Sequence, residues 1–152
     1  MAYDIKAALD FMYGLQAKGT RYSMEGARDG SDGTADCSGS VYAALLAAGV
    51  PSADEVLDTE TMHDWLMANG FVLIAEGEND DTEKQIGDIV VWGKRGRSEG
   101  EYGHTGIMID SVHLLNCNGS DAMTLDNHAT NSEHEYWEWH GRPYCHLYRY
   151  AG

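Results

Sequence analysis

The chain has 152 residues, of which 43% are hydrophobic and 10% aromatic, a composition typical of a single globular domain over residues 1–152 and not of a disordered segment. The net charge is −15, from 25 acidic and 10 basic residues, which excludes nucleic acid as the expected partner because phosphate-backbone binding needs clustered Lys and Arg. No apolar run approaches the roughly 18 residues of a membrane span, and the N-terminus lacks the basic and apolar regions of a signal peptide. We therefore expect a protein that is made in the cytoplasm and does not insert into membranes.

Three helices are predicted in the first half of the chain, at residues 3–18, 37–48 and 60–68. Apolar residues favour a helix in each segment, and a glycine marks each end. These glycines are Gly19, Gly49 and Gly70. Residues 20–36 are predicted to be a loop with a short extended piece at 22–24, and Asp58 or Thr59 is the predicted cap of the third helix.

The second half of the chain changes to a period of two, which predicts strands. They are expected at residues 71–75, 88–92, 104–110, 112–118, 123–125 and 143–150. Residues 126–141 show no clear period. Helices followed by an antiparallel meander indicate an α+β fold.

Cys37 lies where a glycine-rich loop becomes the first turn of the second helix. Unpaired backbone N–H groups and the positive end of the helix dipole stabilise a thiolate there, so the position favours a nucleophile with a lowered pKa. A buried structural cysteine is the alternative. The other cysteines, Cys117 and Cys145, show no CxxC spacing, which excludes a four-cysteine zinc site, and they are the one pair whose disulfide would leave Cys37 free.

A cysteine nucleophile needs a base and a group that orients the base. His104 opens a predicted strand between Gly103 and Gly106, whose small size lets a substrate approach the ring. On the next predicted strand Asn116 would lie beside His104 and accept the imidazole N–H, with Asn118 as the alternative. A surface histidine and polar strand-edge residues remain the other interpretation.

Several short motifs together resemble those of the bacteriophage peptidoglycan hydrolases, the phage amidase branch of the NlpC-type, papain-like cell-wall cysteine hydrolases. They are Asp36-Cys37-Ser38, Gly87-Asp88-Ile89, Gly103-His104-Thr105-Gly106 and Asn116-Cys117-Asn118. The resemblance covers nearly the whole chain and implies a papain-like fold, with N-terminal helices on a central antiparallel sheet and the nucleophile at a helix N-terminus. It also implies Cys37 as nucleophile, His104 as base and a polar third residue at Asn116, where relatives usually carry His.

The same resemblance implies that Tyr22 lies near Cys37 and polarises the scissile carbonyl together with the Cys37 backbone N–H, which is consistent with the needs of an oxyanion hole. A packed loop tyrosine is the alternative. Asp36 and Ser38 would line the same cleft or only cap the helix.

Two further patterns suggest metals weakly. Four histidines follow one another at six-residue steps, a spacing that does not place ligands on one side of a helix or strand. They are His128, His134, His140 and His146. The run 29–33 resembles a calcium loop but has Ser40 where the bidentate Glu should stand. We therefore predict no metal and no cofactor. Trp137 and Trp139 would share one face if their segment were extended, as a stacking wall for sugar or peptide or as core.

These observations predict a cysteine hydrolase that cleaves an amide bond of bacterial peptidoglycan, of the N-acetylmuramoyl-L-alanine amidase type. A peptide-stem endopeptidase, such as one cleaving D-glutamyl-L-lysine, is the alternative bond specificity, and a non-catalytic wall-peptide-binding module is the alternative from another class. The strong negative charge suggests a catalytic module that depends on a separate cell-wall-binding domain or subunit. The family implies residence in the host bacterial cytoplasm until lysis, followed by action on the wall.

Overall fold

The computed structural model describes residues 3–96, 103–118 and 132–152. Within them the helices are α1 (Ile5–Ala17), α2 (Cys37–Ala47), α3 (Met62–Ala68) and α4 (Glu133–Trp139). The strands are β1 (Arg21–Tyr22), β2 (Thr34–Ala35), β3 (Phe71–Gly77), β4 (Ile89–Trp92), β5 (His104–Met108), β6 (Leu114–Leu115) and β7 (Cys145–Tyr150). The expected strand at 123–125 lies outside the described residues.

The main sheet has the strand order β3-β7-β4-β5-β6, and every neighbouring pair is antiparallel. The α+β fold, with N-terminal helices on an antiparallel sheet and Cys37 at a helix N-terminus, is therefore confirmed. The predicted meander is wrong in one respect, because the last strand, β7, lies between β3 and β4. The extended piece near Tyr22 is β1, which pairs in parallel with β2.

The first three predicted helices are confirmed, with boundaries that differ by one or two residues. Asp4 caps α1 by accepting the Ala7 N–H at 3.1 Å, and the apolar stripe of α1 packs on α2. The predicted cap of α3 at Asp58 or Thr59 is wrong, because the N-cap residue is Thr61, which makes no side-chain cap hydrogen bond; Asp58 Oδ1 accepts the Thr61 N–H at 2.7 Å in the preceding turn. The Asp4 cap satisfies a backbone N–H group that a helix start leaves unpaired.

Helix α4 occupies part of the segment in which the sequence showed no period. It begins with a capping box, in which the Ser132 hydroxyl accepts the Glu135 N–H and the Glu135 carboxylate accepts the Ser132 N–H. The proposed extended arrangement of Trp137 and Trp139 is therefore wrong. Trp137 is buried, whereas Trp139 is 61% exposed.

The sheet separates two cores. Helices α1, α2 and α3 cover one face, on which the side chains of Val91 and Ile107 lie. Helix α4 covers the other face, where it packs on Trp92 and Met108. Apolar packing on both faces explains why β4 and β5 are buried at every residue.

Two groups of ion pairs with buried carboxylates join loops to these layers. Asp88, which is 1% exposed, accepts two hydrogen bonds from the Arg149 guanidinium at 2.8 and 2.9 Å. Lys84 contacts Asp80 at 2.9 Å and Glu133 at 3.1 Å, with all three side chains buried. The second network attaches the start of α4 to the loop that follows β3.

All three cysteines are free. Cys117 belongs to the core between the sheet and helices α1, α2 and α3, whereas Cys145 belongs to the core beneath α4. The disulfide that the cysteine count left open is therefore not formed. No helix within the described ranges is long and apolar enough to cross a membrane.

Candidate active site

The first turn of α2 holds Cys37 against the turn that precedes β2. Asp36 is the N-cap residue, and its Oδ1 accepts the Gly39 N–H at 2.7 Å. Gly39 faces the backbone of Arg28, where a Cβ atom would collide with the carbonyl group. The absence of a side chain at Gly39 thus allows the loop and the helix start to meet, and this contact positions Cys37.

The Cys37 thiol is buried, with 5% of the residue exposed. Its Sγ lies 3.8 Å from the Thr59 hydroxyl, and the backbone N–H groups of Ser38 and Thr105 also favour the thiolate. Burial nevertheless raises the pKa of the Cys37 thiol to about 11, and the negative charge of Asp36 adds to this. The expected lowered pKa is therefore wrong, because desolvation outweighs the helix terminus.

The thiol borders a cavity of about 360 Å³. The cavity is lined by Tyr22, Met24, Arg28, Asp36, Cys37, Ser38, Asp58 and Thr59. Three of the predicted cleft residues are thus found here: Tyr22, Asp36 and Ser38. Burial raises the pKa of the Tyr22 phenol, with smaller contributions from Cys37 and Asp36, so that the hydroxyl keeps its proton and can donate it in a hydrogen bond.

Arg28 is a cleft residue that the sequence did not single out. Its guanidinium donates to the Val56 carbonyl at 2.7 Å and to Asp36 Oδ2 at 3.2 Å. Burial raises the pKa of the Asp36 carboxyl, and the Gly39 N–H and the Arg28 charge oppose that rise. Asp36 therefore has both predicted roles, since it caps α2 and lines the cavity.

His104 is the first residue of β5 and is 6% exposed. Its Nε2 lies 3.0 Å from the Oδ1 of Asn116, which is fully buried and donates its own amide N–H to the Leu114 carbonyl. Because an amide oxygen can only accept, Nε2 carries the proton and Nδ1 keeps its lone pair. The pKa of His104 is lowered to about 3, mainly by burial and also by the charge of His140, while the hydrogen bond to Asn116 opposes the shift. The imidazole is therefore neutral.

The start of β5 lies beside the first turn of α2. Helix α2 packs against β5, and the Thr105 N–H that favours the Cys37 thiolate belongs to the residue next to His104. Gly106 allows β6 to approach, since a Cβ atom there would lie 2.8 Å from the Leu115 carbonyl oxygen. Asn116 follows β6 directly, which explains why it reaches His104.

Gly103 and Asn118, which were also predicted as cleft residues, do not line this cavity. Gly103 directly precedes β5 and is half-buried, and Asn118, also half-buried, lies two residues beyond Asn116. The residue that accepts the His104 Nε2–H is Asn116.

Two aromatic rings enclose His104 and were missed as site residues. The Trp92 ring lies 5.5 Å from His104 between centroids, and the His140 ring stacks on it at 4.5 Å. The register that pairs Trp92 with His104 could have been inferred from the strand pattern. The position of His140 beside His104 could not have been inferred in this way, because it depends on α4.

The two patterns that weakly suggested metals have other arrangements. Of the four histidines, His128 lies outside the described residues, while His134 and His140 lie in or just after α4 and His146 lies in β7. In the run 29–33, the carboxylate of Asp29 accepts hydrogen bonds from the backbone and hydroxyl of Ser31. That run is therefore held by local turn contacts.

Comparisons with known proteins agree with one another. Residues 4–152 match the bacteriophage peptidoglycan hydrolase family. The chain is 40% identical over 149 residues to the lysin of Pneumococcus phage Dp-1, an alignment that covers 98% of this chain and 47% of the lysin. The chain thus spans about half the length of this curated relative.

The fold is also similar to that of a chain in the crystal structure of the type VI native effector–immunity complex Tae3–Tai3 from Ralstonia pickettii. The TM-score is 0.51 at 16% identity, over 97% of this chain and 99% of that one. The family match covers almost every residue of the domain and includes Cys37, His104 and Asn116. The chain belongs to the bacteriophage peptidoglycan hydrolase family.

Proposed function

We propose that this domain is a cysteine-dependent lysin module that cleaves an amide bond of bacterial peptidoglycan, with Cys37 as nucleophile, His104 as base and Asn116 as the orienting residue. The observation that carries the proposal is the 3.0 Å hydrogen bond between His104 Nε2 and Asn116 Oδ1. It leaves Nδ1 unprotonated on the strand whose next residue approaches the Cys37 thiol.

The pKa directions suggest how the reaction begins. The thiol is protonated and the imidazole is neutral, because burial raises one pKa and lowers the other. Sγ would therefore attack the scissile carbonyl carbon while its proton passes to His104 Nδ1, in a general-base step. The Cys37 N–H and the Tyr22 hydroxyl would stabilise the oxyanion.

Collapse of the tetrahedral intermediate would break the C–N bond, and the imidazolium would return its proton to the leaving amine. The product of this half-reaction is a thioester on Cys37. Water, deprotonated by His104, would then hydrolyse the thioester and regenerate the thiol. No redox partner or metal is needed for this balance.

The bond that we propose is the N-acetylmuramoyl-L-alanine amide, as in an amidase, and the place of action is the wall of the host bacterium after lysis begins. Mass spectrometry of digested wall fragments tests the bond. New carboxyl groups on N-acetylmuramic acid together with new amino groups on L-alanine would support the amidase. New termini inside the stem peptide would contradict it.

Substitution tests the chemistry. Cys37→Ala is expected to abolish the loss of turbidity in suspensions of purified peptidoglycan, and Cys117→Ala provides a matched control at a second buried cysteine. Wild-type activity in Cys37→Ala would refute the proposal. A separate cell-wall-binding domain is part of the proposal too, since the relative is about twice as long. Fusion of such a domain should raise activity on whole cells more than on soluble fragments.

A further inference from the structure

The ring of His140 lies against the imidazole of His104. The two ring centroids are 4.5 Å apart, and the ring planes differ by 22°, which is a stacked arrangement. Trp92 completes the group, at 5.2 Å from His140 and 5.5 Å from His104. Each of the three rings thus contacts the other two.

His140 is itself held in one orientation. It is the C-cap residue of α4, and its Nδ1 lies 2.7 Å from the Tyr136 carbonyl oxygen. Because a carbonyl only accepts, Nδ1 donates, and this bond sets the tautomer, while the contact with Trp92 restrains the ring. The helix in turn is attached by its capping box and by the buried contact between Glu133 and Lys84.

A single hydrogen bond does not determine the orientation of the His104 ring. Rotation about the bond that carries an imidazole is broad and roughly two-fold, so a ring tied at Nε2 alone can still tilt about that hydrogen bond. A flat ring stacked on its face removes that freedom. Stacking partners thus supply the second constraint that a base needs to keep its lone pair aligned.

We infer that His140 is a positioning residue, whose stacked ring, supported by Trp92, holds the His104 imidazole in the plane in which Nε2 bonds Asn116 and Nδ1 keeps its lone pair. The inference rests on the proposed function for its catalytic consequence. Its structural part, the restraint of the His104 ring, can be measured without substrate.

The experiment compares His140→Ala, His140→Asn and His140→Phe. Removal of the ring in the Ala and Asn variants is expected to lower kcat about tenfold with KM within about twofold of wild type. His140→Phe retains a flat ring and should recover kcat to within about threefold. The matched control is His134→Gln, on the same helix, whose ring contacts Trp137 instead of His104.

Nitrogen NMR of the histidine side chains provides the substrate-free readout. In wild type and His140→Phe, His104 should show one neutral tautomer with Nε2 protonated, and in His140→Ala and His140→Asn this signal should broaden or split. Unchanged His104 signals and unchanged kcat in the Ala and Asn variants would overturn the inference, as would equal losses in Asn and Phe. Failure of the proposed function gives a different result, namely wild-type cleavage by His104→Ala, and leaves the NMR comparison intact.

Discussion

Buried histidines make the stability of the folded chain depend on pH. The size of this pH dependence can be worked out for His63. His63 lies in α3 and is fully buried, with Nδ1 2.6 Å from the Tyr148 hydroxyl. Its Nε2 has no hydrogen-bond partner in the part of the chain that the structure describes. The pKa of His63 is lowered from 6.5 to about 4, mainly by burial and also by the neighbouring His146, whose ring is 4.5 Å away.

The direction in which stability changes with pH follows from the lowered pKa of His63. Between pH 6.5 and about 4 the unfolded chain takes up a proton at His63 that the folded chain does not, so stability falls as pH falls through this window. At about 1.36 kcal/mol per pKa unit, the whole interval corresponds to about 3 kcal/mol of unfolding free energy. Above pH 6.5 the contribution is constant.

The perturbation is His63→Phe, which removes the titrating group and keeps a ring in the core. Urea unfolding followed by tryptophan fluorescence, at intervals from pH 7 to pH 4, gives the unfolding free energy of each variant. We expect wild type to lose about 3 kcal/mol more than His63→Phe across this range. Because the comparison uses slopes, a constant destabilisation by the substitution does not affect it.

Tyr148→Phe is the matched control, because it removes the hydroxyl at 2.6 Å but keeps the imidazole. It should lower stability by about 1 kcal/mol at every pH and retain the acid-dependent slope. Equal slopes in wild type and His63→Phe would refute the reasoning, since the proton would then bind elsewhere.

Three other predictions concern the buried polar groups and the active-site contacts. Lys84→Met leaves Asp80 and Glu133 buried without their cation and should cost about 3–5 kcal/mol in urea unfolding, and a cost below about 1 kcal/mol would contradict the network. Gly39→Ala should cost about 1–3 kcal/mol because its Cβ meets the Arg28 backbone, whereas Gly14→Ala, with open space in α1, should be neutral or stabilising, and equal effects on the melting temperature would be inconsistent with this packing. Asn116→Ala should lower kcat on the order of 10²-fold with little change in KM, and unchanged kinetics would exclude Asn116 as the orienting residue.

The positions around Cys37 and His104 could be predicted because local patterns determine them. The helix start at Cys37 follows from the preceding loop and a cap at Asp36, and the pairing that brings Asn116 beside His104 follows from strand alternation. The pKa of Cys37 could not be predicted in the same way. The helix terminus is visible in the sequence, but the burial that outweighs it depends on how α2 packs on β5.

Helix α4 was missed because its pattern of polarity is inverted. Glu133 is buried beside Lys84, whereas Trp139 is exposed, so hydrophobicity along 133–139 does not mark the face that packs on the sheet. The Ser132 and Glu135 capping box was the available signal. Likewise, the insertion of β7 between β3 and β4 is a long-range pairing, for which the order of strands along the chain gives no indication.

We propose that Cys37 forms and breaks the covalent bond to the substrate. The most direct test of this proposal is partial alkylation by iodoacetamide, with the modified fraction of each of the three free cysteines measured by peptide mass spectrometry and the residual rate of peptidoglycan cleavage measured in the same samples. We expect the residual activity to equal the unmodified fraction of Cys37, whatever the state of Cys117 and Cys145. Soluble wall fragments should also slow the modification of Cys37. Activity that persists when Cys37 is fully carbamidomethylated would contradict the proposal.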